Sequence, residues 1–192
     1  MAATGASLIL PPTMAEAAGS RNLRFGLWTG KRWSRFGNRI DVRSKSRHIH
    51  GPYSWPHPVT GEKLTIYIRD NHDKKGKRTQ YFTLREDGTA LARVFDRRPG
   101  RPDRVFVGDA FMPQGQWSAG QSRNYTMQEY SGRSKKTYQL TLQVLDPART
   151  YRGVRNSMRY EWIAKSGRKV VYHERFDYSP GVGFVRFDNR LN

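Results

Sequence analysis

Between residues 136 and 145 apolar and polar side chains alternate without a break. Tyr138, Leu140, Leu142 and Val144 take one face; Thr137, Gln139, Thr141 and Gln143 take the other. A period of two in β-forming residues predicts a half-buried strand. Asp146-Pro147 predicts its end, because proline brings no N–H to the ladder. Over 156–164, Met158, Tyr160 and Trp162 share a face, and Ser166-Gly167 signals a turn. The next run places Val170, Tyr172, Phe176 and Tyr178 on one side, with Val171, His173, Arg175 and Asp177 on the other. Glu174 breaks that apolar face, so it requires a partner or an edge position. Pro180-Gly181 predicts a turn, and Gly183 permits close backbone approach. Val182, Phe184 and Phe187 return the chain to the sheet. Connections this short make a meander, so the pairing is antiparallel.

The same alternation recurs upstream. Leu64, Ile66 and Ile68 alternate with Thr65 and Tyr67; Phe82 and Leu84 follow a polar loop over 70–78; Asp87-Gly88 is a hairpin signal before 91–95. Residues 97–104 form a basic loop too rich in proline for helix. Residues 105–107 and 125–130 are strand-like. Residues 108–124 show no clear period, and Phe111, Met112 and Trp117 are their anchors. The expected fold is all-β or mostly β: a single curled antiparallel meander of on the order of eight strands, with room for one helix on its concave face.

The closing motif carries a resemblance. Tyr172-x-x-x-Phe176-x-Tyr178 followed by Ser179-Pro180-Gly181-Val182-Gly183-Phe184-Val185 resembles the C-terminal hairpin of bacterial exported β-rich domains of unknown function. Many of those are periplasmic proteins or lipoproteins, with sheets similar to the lipoprotein-localisation-factor fold. The resemblance covers roughly the last third of the chain. It implies a curled antiparallel sheet and a periplasmic or secreted location, and it carries over no catalytic residue. The chain has no cysteine, so it departs from the members that are lipid-anchored through one.

The N-terminal pattern agrees with export. Leu8-Ile9-Leu10 is a short apolar centre, and Ala15-x-Ala17 suits signal-peptidase cleavage. No Lys or Arg precedes the apolar centre, and Pro11-Pro12 follows it directly. Residues 1–19 thus read as a signal peptide or a disordered tail, 20–60 as a basic aromatic arm, and 61–192 as the antiparallel β domain. An uncleaved chain would be cytoplasmic. No run of apolar residues is long enough to span a membrane as a helix.

Charge adds a second picture. The 192 residues carry a formal net charge of +19, from 35 basic and 16 acidic residues. Such a field favours polyanionic partners. Nine basic residues between 21 and 47 face a single acid, Asp41, with Phe25, Trp28, Trp33 and Phe36 interleaved. The candidate polyanion contacts are Arg32, Arg35, Arg43, Lys45 and Arg47 of the arm, Lys74 and Lys75, and Arg97 and Arg98. If alternate turns of the meander share an end, the basic turns crowd together there.

Two further sites follow from residue type. The concave aromatic face offers Tyr138, Tyr160, Trp162, Tyr172 and Phe176 to an apolar ligand, although residues of this kind are more often plain core. His48, His50 and His57 are the only imidazole set spaced for a metal. No acidic residue lies near them, so the expectation is a proline-rich aromatic loop with no metal and no cofactor. Without cysteine the chain has no disulfide, thiolate nucleophile or zinc–cysteine site. It has no phosphate-binding loop, no Gly-x-Ser-x-Gly elbow and no His-Glu-x-x-His. The function expected is a non-catalytic envelope protein that binds an apolar ligand or a protein partner. A nucleic-acid or polyanion binder is the alternative.

Overall fold

A computed structural model of the chain describes residues 20–23, 34–36, 39–41, 47–73, 76–151, 153–179 and 183–191. Its strands are β1 (Ser20–Leu23), β2 (Ser34–Phe36), β3 (Arg39–Asp41), β4 (Arg47–Pro56), β5 (Lys63–Asp73), β6 (Gly76–Leu84), β7 (Ala90–Arg97) and β8 (Arg104–Val107). Then come β9 (Met112–Pro113), β10 (Gly115–Ser118), β11 (Ser122–Ser131), β12 (Ser134–Tyr151), β13 (Val154–Ser166), β14 (Lys169–Ser179) and β15 (Gly183–Asn189). Eleven of these described strands form one antiparallel sheet in the order β15-β14-β13-β12-β11-β8-β7-β6-β5-β4, with β9 on β7. The all-β antiparallel meander is therefore the fold. It exceeds the expected strand number because residues 47–56, expected as a proline-rich loop, pair with β5 as β4, and because the short β9 adds to β7.

The alternation sorts the faces as expected. Leu140, Leu142 and Val144 of β12 lie inside at 0% exposure, opposite Ala164, Trp162 and Tyr160 of β13. On the outer face Arg159 grips Asp177 through two hydrogen bonds of 2.9 and 2.8 Å. Arg175 holds Glu161 at 2.8 and 2.6 Å. Charged pairs thus occupy the positions that alternate with the apolar ones.

The sheet is strongly curled and is not closed into a barrel. Laid flat at about 4.8 Å per strand, β5 and β15 would stand about 38 Å apart. Instead the Arg69 guanidinium of β5 sits 5.2 Å from the Phe184 ring centre of β15, and Arg93 of β7 lies 5.6 Å from the Trp162 ring of β13.

Two expectations are corrected. No helix lies on the concave face among the described residues; the connection over 108–121 fills it. That stretch spends its amides mainly on distant partners, β7 at its start, β1 along β10 and β12 at Gly120. Phe111 N–H donates to Leu91 O at 2.8 Å and Gln114 N–H to the neighbouring Thr89 O at 2.9 Å. Gly108 at φ +76° also breaks any helical path. Phe111 and Trp117 are buried, and the Trp117 indole N–H donates to Gln114 O at 2.8 Å. The second correction concerns Pro147, which does not end its strand. β12 runs on to Tyr151 through register shifts between Val144 and Asp146 and between Asp146 and Arg149. The proline sits where the ladder is already interrupted, so its missing donor costs little.

Strand order fixes where the turns fall. The β5–β6, β7–β8, β11–β12 and β13–β14 turns share one end of the sheet. The last three carry Arg98 and Arg101, Arg133, and Arg168 respectively. That end is basic.

Candidate functional site

The concave face divides into two halves. From β11 to β15 it is mainly apolar. From β5 to β8 the same inward positions are polar: Arg69, Arg78, Gln80, Arg93 and Asp96, followed by Arg98 in the turn and Arg104 at the start of β8. Where the halves face each other they enclose a cavity of about 210 Å³. Phe111, Trp162, Tyr172, Phe176, Phe184 and Phe187 form its aromatic wall. Arg69, Arg78, Arg93, Arg98 and Arg104 form the cationic wall, with Gln80, Glu129 and Glu174 among them.

One buried carboxylate organises the arginines. Asp96 accepts from Arg78 Nε at 2.7 Å and Nη2 at 2.8 Å. It also accepts from Arg98 Nε at 3.2 Å and from Arg104 Nη2. Burial alone would raise the Asp96 carboxyl. The hydrogen bond and charge of Arg78, with the charges of Arg93 and Arg104, outweigh it and hold the group well below the usual carboxylate range. Arg104 reaches a second acid, Glu129, at 3.4 Å. Arg93 crosses the curl: its guanidinium lies 4.1 Å from the Phe106 ring centre, and its Nε is 3.4 Å from Asp109. Burial pushes the Asp109 carboxyl up despite Arg93.

The arginines form a gradient from the basic end inward. Side-chain exposure is 37% at Arg98, 21% at Arg78, 16% at Arg104 and 8% at Arg93, which places the mouth at Arg98. There the guanidinium charge is disfavoured first by burial and then by Arg78, with Arg104 and Arg93 adding to this; Asp96 offsets these only in part.

Glu174 lies in the middle. It is registered with Trp162 of β13 and Asn189 of β15, and its carboxylate makes no hydrogen bond or ion pair with any described residue. Burial raises its carboxyl above the ordinary range, against the charges of Arg93, Arg78, Arg98 and Arg104. Trp162 Nε1 and the Tyr160 hydroxyl are buried without a hydrogen-bond partner among the described residues.

Three of the five aromatic candidates, Trp162, Tyr172 and Phe176, line this cavity. Tyr138 and Tyr160 do not; they are buried in the continuous core. Of the polyanion candidates, Arg32, Arg43, Lys45, Lys74 and Lys75 lie outside the described residues. Arg35 falls on β2 and Arg47 on β4. Arg97 is exposed and paired with Asp103 at 2.8 Å. Arg98 lines the cavity instead of standing on a free basic surface. His57 is not free to bind a metal. Its Nδ1 accepts from the N–H of Val59 at 3.3 Å and of Thr60 at 3.2 Å, and its Nε2 lies 3.0 Å from Phe106 O. His48 and His50 sit on β4 opposite Asp70 and Ile68. No group of three metal-ligating side chains occurs among the described residues.

Arg69 and Arg93 were not legible as site residues, and Arg78 and Arg104 were legible only as members of the basic loops over 74–78 and 97–104. Their signal is that they occupy the inward phase of their strands: Arg78 and Gln80 are in phase with Phe82, and Arg93 follows Leu91 at a spacing of two. A larger depression of about 370 Å³ lies on the opposite face, beside Ala92 and Val94. Its polar groups are engaged already: His57 as described, and Arg85 with Gly108 O and Asp109 O at 3.2 and 3.1 Å. The chain matches no family model, no curated protein and no solved structure.

Proposed function

We propose that the chain is a non-catalytic binding protein of the bacterial cell envelope that takes an apolar ligand inside the curl of its sheet. The observation that carries this is the cavity of about 210 Å³ between the two halves of the concave face, walled by six aromatic rings. A core packed for stability alone leaves few voids larger than a water molecule. Aromatic walls with a few convergent polar groups are the common chemistry of small-ligand sites. The curled antiparallel sheet and the Pro180-Gly181-Val182-Gly183 motif support the likeness to exported β-domains. The Ala15-x-Ala17 pattern supports their address.

The test is extraction and mass spectrometry on protein purified from its native cell, with sequencing of its N-terminus. One small apolar species at near-stoichiometric yield, on a chain beginning at Ala18, is the expected result. A consistently empty interior that also fails to take up an added neutral apolar probe defeats the ligand reading. An unprocessed N-terminus defeats the envelope reading. The basic end of the sheet favours a second reading, polyanion binding, which belongs to the surface and is independent of the cavity.

A further inference from the structure

We propose that the cavity is selective for anions. Its occupant is a small apolar molecule with one anionic head, the body against Phe111, Trp162 and Phe176 and the head among Arg93, Arg98 and Arg104. This rests on reading the cavity as a ligand site, and it names the class of ligand.

Size comes first. About 210 Å³ equals about seven waters of liquid volume. It falls below the about 300–1,000 Å³ of sites for drug-sized ligands. The body is therefore a single ring or a short chain, and a diacyl lipid is too large.

Unspent donors come second. A guanidinium carries five N–H donors. Arg98 uses only its Nε, on Asp96, and Arg93 directs only its Nε at Asp109. Their Nη nitrogens make no hydrogen bond with any described residue. Arg93 Nε is itself buried without a hydrogen-bond partner among the described residues, and a buried donor left open costs stability; a carboxylate or phosphate oxygen pair fits a guanidinium edge in two parallel bonds.

Charge is the third observation. Five guanidiniums meet four carboxylates, those of Asp96, Asp109, Glu129 and Glu174. Burial pushes two of the four, Asp109 and Glu174, toward the protonated form. The surplus is positive, and the basic turns at the same end of the sheet draw anions toward Arg98.

Glu174 then governs the seat. The groups facing it are Arg78 of β6, Arg93 of β7, Arg98 of the following turn, Arg104 of β8 and Tyr160 of β13. Ionised, it repels an anion. Protonated, its O–H donates to one.

The experiment is titration calorimetry of the full chain with octanoate, octanol and octylamine. Octanoate is expected to bind about ten- to hundredfold tighter than octanol, and octylamine more weakly than either. Arg98→Gln, at the exposed mouth, should bring octanoate down toward octanol and leave octanol unchanged. Octanoate affinity should rise as pH is lowered from neutrality toward the ordinary carboxylate range, because a raised carboxyl gains its proton before that range is reached. In Glu174→Gln that rise should vanish while the fold persists. Equal affinity for octanoate and octanol, or selectivity that survives Arg98→Gln, overturns the anion inference and leaves the cavity as a ligand site. Failure of all three probes overturns both.

Discussion

At the scale of single residues, Asp96 is the most consequential side chain in the molecule. It is fully buried, and three arginines from positions 78, 98 and 104 converge on it. Asp96→Asn removes the shared anion and leaves three partly buried cations crowded together. The expected cost is about 3–5 kcal/mol, measured as a lower urea midpoint at neutral pH. The sign with pH follows from its lowered carboxyl. The contribution is complete above the unfolded carboxylate value and fades as pH falls through it toward the folded one. The native chain should therefore lose stability steeply below about pH 4, and Asp96→Asn less steeply. A variant as acid-sensitive as the native chain would contradict the role given to Asp96. In the sequence, Asp96 looks like the start of a basic loop, because its partners are distant in the chain and converge only through strand pairing. Glu174 was legible, since a carboxylate breaks the apolar alternation of its strand. What it meets was not legible: its carboxylate has no partner among the described residues, its strand is not at an edge, and it faces a cavity.

At the scale of elements, the strands were readable because a half-buried sheet writes its period into the chain. The connection over 108–121 was not, since its hydrogen bonds go to several distant strands, β7, β1 and β12, and leave no period of its own. Its entry depends on Gly108. A Cβ built there would stand 2.4 Å from Thr126 O, at φ +76°. Gly108→Ala is expected to cost about 1–3 kcal/mol, read as a fall in Tm. Gly120 has a similar φ of +78° with nothing within 4 Å of such a Cβ, so Gly120→Ala should cost less. Equal losses at the two positions would show that the close approach of Gly108 to β11 has no energetic weight. Pro147 teaches the converse. Proline marks a break in pairing, but the break here is a shift of register inside β12 and not the end of the strand.

At the scale of the whole molecule, the charge of +19 has two parts. Within the sheet many cations have acids to answer them, as Arg159 has Asp177 and Arg175 has Glu161. The excess gathers at the basic turns and in residues 21–47. The polyanion reading predicts retention on heparin that weakens with salt, by about 0.7–0.9 log units of affinity per log unit of salt for each contact. Replacing Arg32, Arg35, Arg43, Lys45 and Arg47 by Gln should release the protein at distinctly lower salt. Unchanged elution would remove the arm from that reading and leave the turns as the only contact.

A closed barrel has a girth fixed by its strand number and stagger. This sheet has no such belt. Among the described residues, β4 and β15 are its terminal strands and do not pair with each other; what meets across the seam is side chain on side chain, Arg69 on Phe184. Widening the seam at that contact breaks no backbone rung between β4 and β15, so the girth of the interior is set there by side chains and not by a closed ladder.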